Sequence, residues 1–95
     1  MKLVYTPQAL AELDAVLGHI ESHSPRGGGR VKHRIRATLD LLLRYPLAGR
    51  STSVAGLHRI VVTPYPYLVF YRPSEVEVVV IAIRHAARDP GSMPG

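Results

Sequence analysis

The sequence contains no cysteine and no long apolar segment. Without cysteine, a disulfide scaffold, a zinc ribbon and a thiol nucleophile are all excluded. The longest apolar run, residues 78–83 (VVVIAI), is far shorter than the roughly 20 residues that a membrane-spanning helix needs. The first residues also lack the apolar core of a signal peptide, so we expect a cytoplasmic protein.

The composition is that of one ordinary globular domain. Hydrophobic residues make up 46% of the 95 residues and charged residues 20%, a balance that favours a packed core over disorder. A chain of this length supports one core and not two. We therefore predict a single domain over residues 1–95, with a loosely held tail at 86–95, where two prolines and two glycines lie.

Positive charge is in excess. Lys and Arg total 12 against 7 Asp and Glu, which gives a net charge of +5, and ten of the twelve cations are arginine. The planar guanidinium pairs bidentately with carboxylate or phosphate. This composition indicates a nucleic acid or an acidic protein surface as partner, without choosing between them.

Two helices are predicted in the first half of the chain. Thr6-Pro7 has the pattern of an N-cap followed by a first-turn proline, and Ser24-Pro25 repeats it. Glycines at 27–29 leave two possible starts for the second helix, Pro25 or near Arg30. The apolar stripes consist of Leu10, Leu13, Val16, Leu17 and Ile20 in the first helix, and of Val31, Ile35, Leu39, Leu42 and Leu43 in the second.

Cations crowd the first half of the second helix, where the helix dipole disfavours them. They are Arg30, Lys32, Arg34 and Arg36, with His33 among them. The placement fits either a solvated face or a basic stripe that meets an acidic partner or DNA.

Four β-strands are predicted around the helices, at residues 2–5, 57–62, 67–72 and 76–84, with a loop at 46–56. The last strand is apolar on both faces for most of its length, so we place it centrally, with Val79, Ile81 and Ile83 on one face and Val76, Val78, Val80 and Ala82 on the other. The order β-α-α-β-β-β predicts an α+β fold, a helical hairpin packed on one face of a small antiparallel sheet.

Four segments, in this order, resemble the RelE/ParE toxin superfamily of bacterial type II toxin–antitoxin systems. They are residues 45–50 (YPLAGR), 57–59 (LHR), 67–72 (YLVFYR) and 84–89 (RHAARD). The resemblance runs from Lys2 to Pro90, and the ending after the last strand is most similar to the ParE branch. The family's α+β fold agrees with the element order predicted above.

The two branches of this superfamily act differently. RelE-type toxins are ribosome-dependent mRNA endonucleases that use basic residues of the central strands and a Tyr or His near the C-terminus, whereas ParE-type toxins inhibit DNA gyrase. Here Leu68 stands where RelE-type toxins have an arginine, and no tyrosine follows Tyr71. The resemblance therefore implies a ParE-like gyrase inhibitor. An mRNA endonuclease and a non-toxic, antitoxin-binding module are the alternatives.

The resemblance implies a basic target surface. We predict that it consists of Arg50, Arg59, Arg72, Arg84, His85 and Arg88, together with the tail. If the chain were a nuclease, the candidate catalytic residues would be His85, Arg59 and Arg88. A structural role for His85, in which its imidazole fixes the tail through a hydrogen bond, is the other interpretation.

The resemblance also implies a small acidic antitoxin, in equal or near-equal number, that folds onto the helical hairpin and adds a strand to the sheet. Its predicted contacts are Leu10, Leu13, Leu17, Leu42 and Tyr45, although the same side chains suit a core. His19 and His23 have a spacing that can begin a metal site, but no third ligand is implied. We predict neither a metal nor a cofactor.

Overall fold

The computed structural model describes residues 1–86 and contains two helices and five strands. In chain order these are β1 (Lys2–Tyr5), α1 (Pro7–His23), α2 (Pro25–Arg44), β2 (Arg50–Ser51), β3 (His58–Val61), β4 (Tyr67–Pro73) and β5 (Glu77–His85). The predicted α+β architecture, two helices packed on one sheet, is confirmed. Strand β2 lies inside the segment predicted to be a loop. Of the predicted tail, only Ala86 falls within the described residues.

Both helices begin where the capping patterns predict. The Thr6 hydroxyl accepts a hydrogen bond from the Ala9 amide at 3.1 Å, and the Ser24 hydroxyl accepts one from the Gly27 amide at 3.0 Å. Each cap satisfies an amide that has no partner within the helix. Helix α2 starts at Pro25 and not near Arg30, so its three glycines lie inside the helix.

One of these glycines permits close packing of the two helices. A Cβ atom at Gly28 would lie 2.5 Å from Glu21 Cγ and 3.2 Å from Glu21 Cα of α1. At Gly29, by contrast, a Cβ atom would meet nothing within 4 Å. Gly28 is required by the close approach of the two helices, whereas Gly29 lowers helix stability without permitting any contact.

These two positions should respond oppositely to alanine. Gly28→Ala should lower the free energy of unfolding by about 1–3 kcal/mol through overpacking against α1, partly offset by helix propensity. Gly29→Ala should raise it by roughly 0.5–1 kcal/mol, because alanine restricts the unfolded chain and favours the helix. Urea denaturation of both variants measures the difference. Equal midpoints would contradict the close helix approach.

The sheet is mixed, with strand order β1-β5-β4-β3-β2. The pairs β2–β3, β3–β4 and β4–β5 are antiparallel, but β1 runs parallel to β5, with Leu3 opposite Val78. The prediction of a wholly antiparallel sheet is therefore wrong for this pair. The helical hairpin and the other strands together form the long crossover that parallel pairing requires.

Strand β5 lies centrally, as predicted, between β1 and β4, but the alternation of its side chains between the two faces is interrupted midway. Phe70 is opposite Ala82, while the next residue, Tyr71, is opposite Val80, so Ile81 forms a bulge. An extra residue reverses the alternation of side chains beyond it. Val80 and Ile83 consequently both join the helix-side core, and the predicted grouping of Ile83 with Ile81 is wrong.

Apolar residues are buried on both faces of the sheet. The larger cluster lies beneath the helices and includes Val31, Ile35, Leu39, Leu42, Val69, Tyr71, Val78 and Val80. A smaller cluster on the opposite face consists of Leu57, Leu68, Phe70 and Ala82. Within residues 1–86, no helix is both long and apolar enough to cross a membrane.

Candidate functional site

Two arginines face each other at the end of the sheet formed by β2 and β3. Arg50 is the direct cross-strand partner of Arg59, and both side chains are exposed. Arg59 is in turn opposite Phe70, whose side chain belongs to the helix-free face of the sheet. Cross-strand partners share a face, so this arginine pair lies on the helix-free face. Two adjacent like charges are unfavourable unless an anion binds there.

A tightly packed glycine holds the arginine pair in register. The Gly49 amide donates a hydrogen bond to the buried Tyr71 hydroxyl at 3.0 Å, which anchors the residue before Arg50. A Cβ atom at Gly49 would lie 2.4 Å from the Arg59 carbonyl oxygen and 2.6 Å from Tyr71 Oη. Only glycine fits this approach. Burial raises the pKa of Tyr71, while the hydrogen bond from Gly49 opposes that rise.

The remaining predicted target residues on β4 and β5 make contacts within the protein. Arg72 is exposed, but its guanidinium donates to the Ala55 carbonyl at 3.0 Å. Arg84 forms an ion pair with Glu12 of α1, which also accepts a hydrogen bond from the Ile83 amide at 3.2 Å. Glu12 therefore joins α1 to the edge of β5 beyond the end of β1. The guanidinium of Arg84 is less available to a partner than those of Arg50 and Arg59.

His85 lies at the end of β5, away from the arginine pair. Its ring meets Tyr67 edge-on, with 5.2 Å between the ring centroids, and Tyr67 is also its cross-strand partner. This contact supports a structural role for His85. Arg88, the other C-terminal residue predicted to contact the target, lies outside the described residues.

A separate apolar groove opens between the helices and β1, with a cavity volume of about 260 Å³. It is lined by Leu3, Tyr5, Leu13, Leu17, Ile35 and Leu39, with Lys32, Arg36 and Asp40 beside them. Burial raises the pKa of Tyr5, with Arg36 opposing and Asp40 adding to the rise. Strand β1, which contributes one wall, is also an edge of the sheet. Leu13 and Leu17 are among the antitoxin contacts predicted from the sequence, whereas the β1 residues of this wall were not predicted.

The other predicted antitoxin contacts divide between core and surface. Leu42 has 0% of its surface exposed and belongs to the core, so in this structure its side chain offers no surface to a partner. Leu10 and Tyr45 are 47% and 62% exposed and remain available. Leu42 continues the buried apolar stripe of α2, whereas Tyr45 follows the last helical residue.

The two histidines of α1 contact each other. The rings of His19 and His23 are 4.5 Å apart between centroids, and His23 Nδ1 lies 2.8 Å from the His19 carbonyl oxygen. In the part of the chain that the structure describes, no group of three or more His, Asp or Glu side chains could hold a metal ion.

With the fold and these surfaces established, comparison with known proteins identifies the family. Residues 3–90 match the family model of the ParE toxin of the type II toxin–antitoxin system parDE. The chain belongs to the ParE toxin family. It is therefore the toxin of a type II toxin–antitoxin system, and its partner is an antitoxin.

Individual relatives agree with the ParE family assignment. Toxin RelE2 of Caulobacter vibrioides is 38% identical over 87 residues, covering 92% of this chain and 97% of that protein. A chain of the chromosomal ParDE system of P. aeruginosa superposes with a TM-score of 0.76 at 24% identity, covering 90% of this chain and 95% of that one. The YoeB/ParE toxin of Agrobacterium tumefaciens superposes with a TM-score of 0.61 at 22% identity, covering 90% of this chain and 98% of that one. These two solved structures support the ParE fold.

Proposed function

We propose that this ParE-family toxin inhibits DNA gyrase and has no nuclease activity of its own. The observation that carries the proposal is Leu68, at the position on β4 where RelE-type toxins have an arginine. Leu68 is only 9% exposed and packs in the apolar cluster with Phe70. An apolar side chain there cannot stabilise the charge that develops on a phosphate during RNA cleavage.

On this proposal the arginine pair, Arg50 and Arg59, makes the principal contact with the target. Both guanidiniums are exposed, and their cross-strand pairing presents two adjacent sets of planar donors on one face. Such donors bind carboxylates or phosphates bidentately. Arg72 extends the same face, while Arg88 and His85 stay predicted contacts near the C-terminus.

A supercoiling assay tests the proposal. Purified toxin in several-fold molar excess over gyrase should abolish supercoiling of relaxed plasmid DNA. Arg50→Gln/Arg59→Gln should weaken this inhibition by about tenfold or more, because two charge-assisted contacts are lost. Lys32→Gln/Arg36→Gln removes the same charge from the helix side and serves as the matched control. Unchanged supercoiling with the wild-type toxin would overturn the proposal.

An mRNA endonuclease remains the second candidate, because a relative named Toxin RelE2 shares 38% of its residues with this chain. The same toxin preparation should leave a reporter mRNA intact in a translating extract. New cuts that require ribosomes, and that disappear in His85→Ala, would support the endonuclease instead. If the toxin neither inhibits gyrase nor cuts mRNA but still binds the antitoxin, the chain would be the non-toxic, antitoxin-binding module.

The apolar groove and the β1 edge are the proposed site for a small acidic antitoxin. An apolar helix or strand would cover Leu13 and Leu17, and acidic side chains beside it would meet Lys32 and Arg36 on the rim. The exposed side chains of Leu10 and Tyr45 would extend this contact along the hairpin. We propose near-equal numbers of the two chains, with the antitoxin also binding DNA to control expression.

A further inference from the structure

The first half of α2 carries an unusual concentration of charge. Residues 25–36 contain five Lys and Arg and one His, with no Asp or Glu. Arg26 lies in the first turn of α2, where the helix dipole disfavours a cation by about 0.3–1 kcal/mol, and like charges four residues apart, such as those of Arg26 and Arg30, repel each other. Stability of the isolated toxin therefore does not account for their placement.

Part of this charge lines a second groove, between α2 and the turn that joins β3 to β4. We name it the basic groove; its walls are Arg26, Gly29, Arg30, His33, Arg34, Pro64 and Tyr65. Four of these seven residues are Arg or His, and none is acidic. It is distinct from the apolar groove, because the two share no lining residue.

The geometry of α2 aligns the cations along this groove. Arg26, Arg30 and His33 recur at spacings of four and three, which places them on one helix face. Gly29 lies between them on that face, and the space above it is open. The missing side chain leaves room for a ligand to approach the helix backbone, with a guanidinium on either side.

The opposite wall of the basic groove is fixed to the helix. Arg34 donates through Nε to the Thr63 carbonyl, and the Tyr65 amide donates to the Val62 carbonyl at 2.8 Å. Tyr65 is half-buried and packs against the main core. The Arg34 side chain is thus engaged in a hydrogen bond within the protein. The exposed Arg26 and Arg30 pair with no carboxylate among the described residues.

We propose that the basic groove binds the phosphate backbone of a single nucleic-acid strand. Arg26 and Arg30 contact successive phosphates, and the Tyr65 ring offers a surface on which a base stacks. A groove that combines cations with an aromatic side chain is the usual basis of single-strand binding. This site is separate from the arginine pair on the sheet, so it stands whichever macromolecule the toxin inhibits.

Fluorescence anisotropy with a labelled oligo-dT of about 15 nucleotides tests the proposal on the full-length toxin. Arg26→Gln/Arg30→Gln should weaken binding by about tenfold and reduce the slope of log K against log salt by about 1.4, or ~0.7 for each lost phosphate contact. Lys32→Gln/Arg36→Gln removes equal charge from the rim of the apolar groove and should change affinity by less than about threefold. Gly29→Leu should weaken binding by occupying the groove without changing charge, whereas Gly29→Ala should have little effect.

Several results would overturn the proposal. No binding of oligo-dT by the wild-type toxin would do so directly. Equal losses in the two double variants, or an unchanged Gly29→Leu, would show that net charge alone attracts the DNA. If polyglutamate of matched charge displaced the oligonucleotide as well as unlabelled oligo-dT does, the basic groove would be a site for an acidic protein. Circular dichroism of each variant confirms that α2 is intact.

Discussion

Replacing Leu42 with alanine should lower the free energy of unfolding by about 2–5 kcal/mol. The side chain is fully buried in the cluster beneath the helices, so truncation removes apolar contacts and leaves a cavity. Domains of this size have a total stability of about 5–15 kcal/mol, so the loss is a large fraction. Denaturation in urea, monitored by circular dichroism, measures the shift in midpoint.

Tyr45→Ala is the matched control for Leu42→Ala. Both residues were predicted antitoxin contacts near the end of α2, but Tyr45 is 62% exposed. Its truncation should change the free energy of unfolding by no more than about 0.5 kcal/mol. A similar loss of stability in the two variants would contradict the division between core and surface. A stable Leu42→Ala variant with weakened antitoxin binding would restore Leu42 as a contact.

Gly49→Ala should destabilise the protein by about 1–3 kcal/mol and disturb the arginine pair. The new methyl group would overlap the Arg59 carbonyl and the Tyr71 hydroxyl, so either β2 must move away from β3 or the buried ring must shift. Movement of β2 would also break the hydrogen bond from the Gly49 amide to Tyr71. We therefore expect reduced action on the target as well as a lower urea midpoint.

The control for this substitution is Gly18→Ala, in α1, where a Cβ atom would meet nothing within 4 Å. Helix propensity should make that variant more stable, by up to about 1 kcal/mol. Destabilisation by both substitutions, or by neither, would refute the account of Gly49 as a packing requirement. If a destabilised Gly49→Ala variant kept full activity, Gly49 would be needed for stability but not for the position of the arginine pair.

Local chemistry made much of the secondary structure predictable. Thr6-Pro7 and Ser24-Pro25 each combine a hydroxyl that accepts from the first turn with a proline whose missing amide is not needed there, and both caps are confirmed. The strands β3, β4 and β5 begin and end within one residue of their predicted bounds, because prolines and polar turn residues separate apolar runs. Strand β2 escaped prediction because two polar residues have no strand pattern.

The functional surfaces were less predictable than the elements that carry them. Arg50 and Arg59 were both predicted target contacts, but their pairing across β2 and β3 depends on a register that local sequence does not encode. Arg84 has the same chemistry, yet it pairs with Glu12 because α1 crosses the edge of β5 there. Which arginines are exposed is decided by neighbours that are distant in sequence.

By itself, the sequence determined the two capping sites, the order of the two helices and four of the five strands, the excess of guanidinium and the family to which the chain belongs. These follow from residues close together in the chain or from composition. Only the tertiary structure decided that β1 runs parallel to β5, that Ile81 forms a bulge, that Leu42 lies inside, and that Arg26 and Arg30 line a groove. Each of those outcomes depends on contacts between segments far apart in the chain. There the packing and strand register of the whole fold, and not local residue preference, decide which conformation has the lowest free energy.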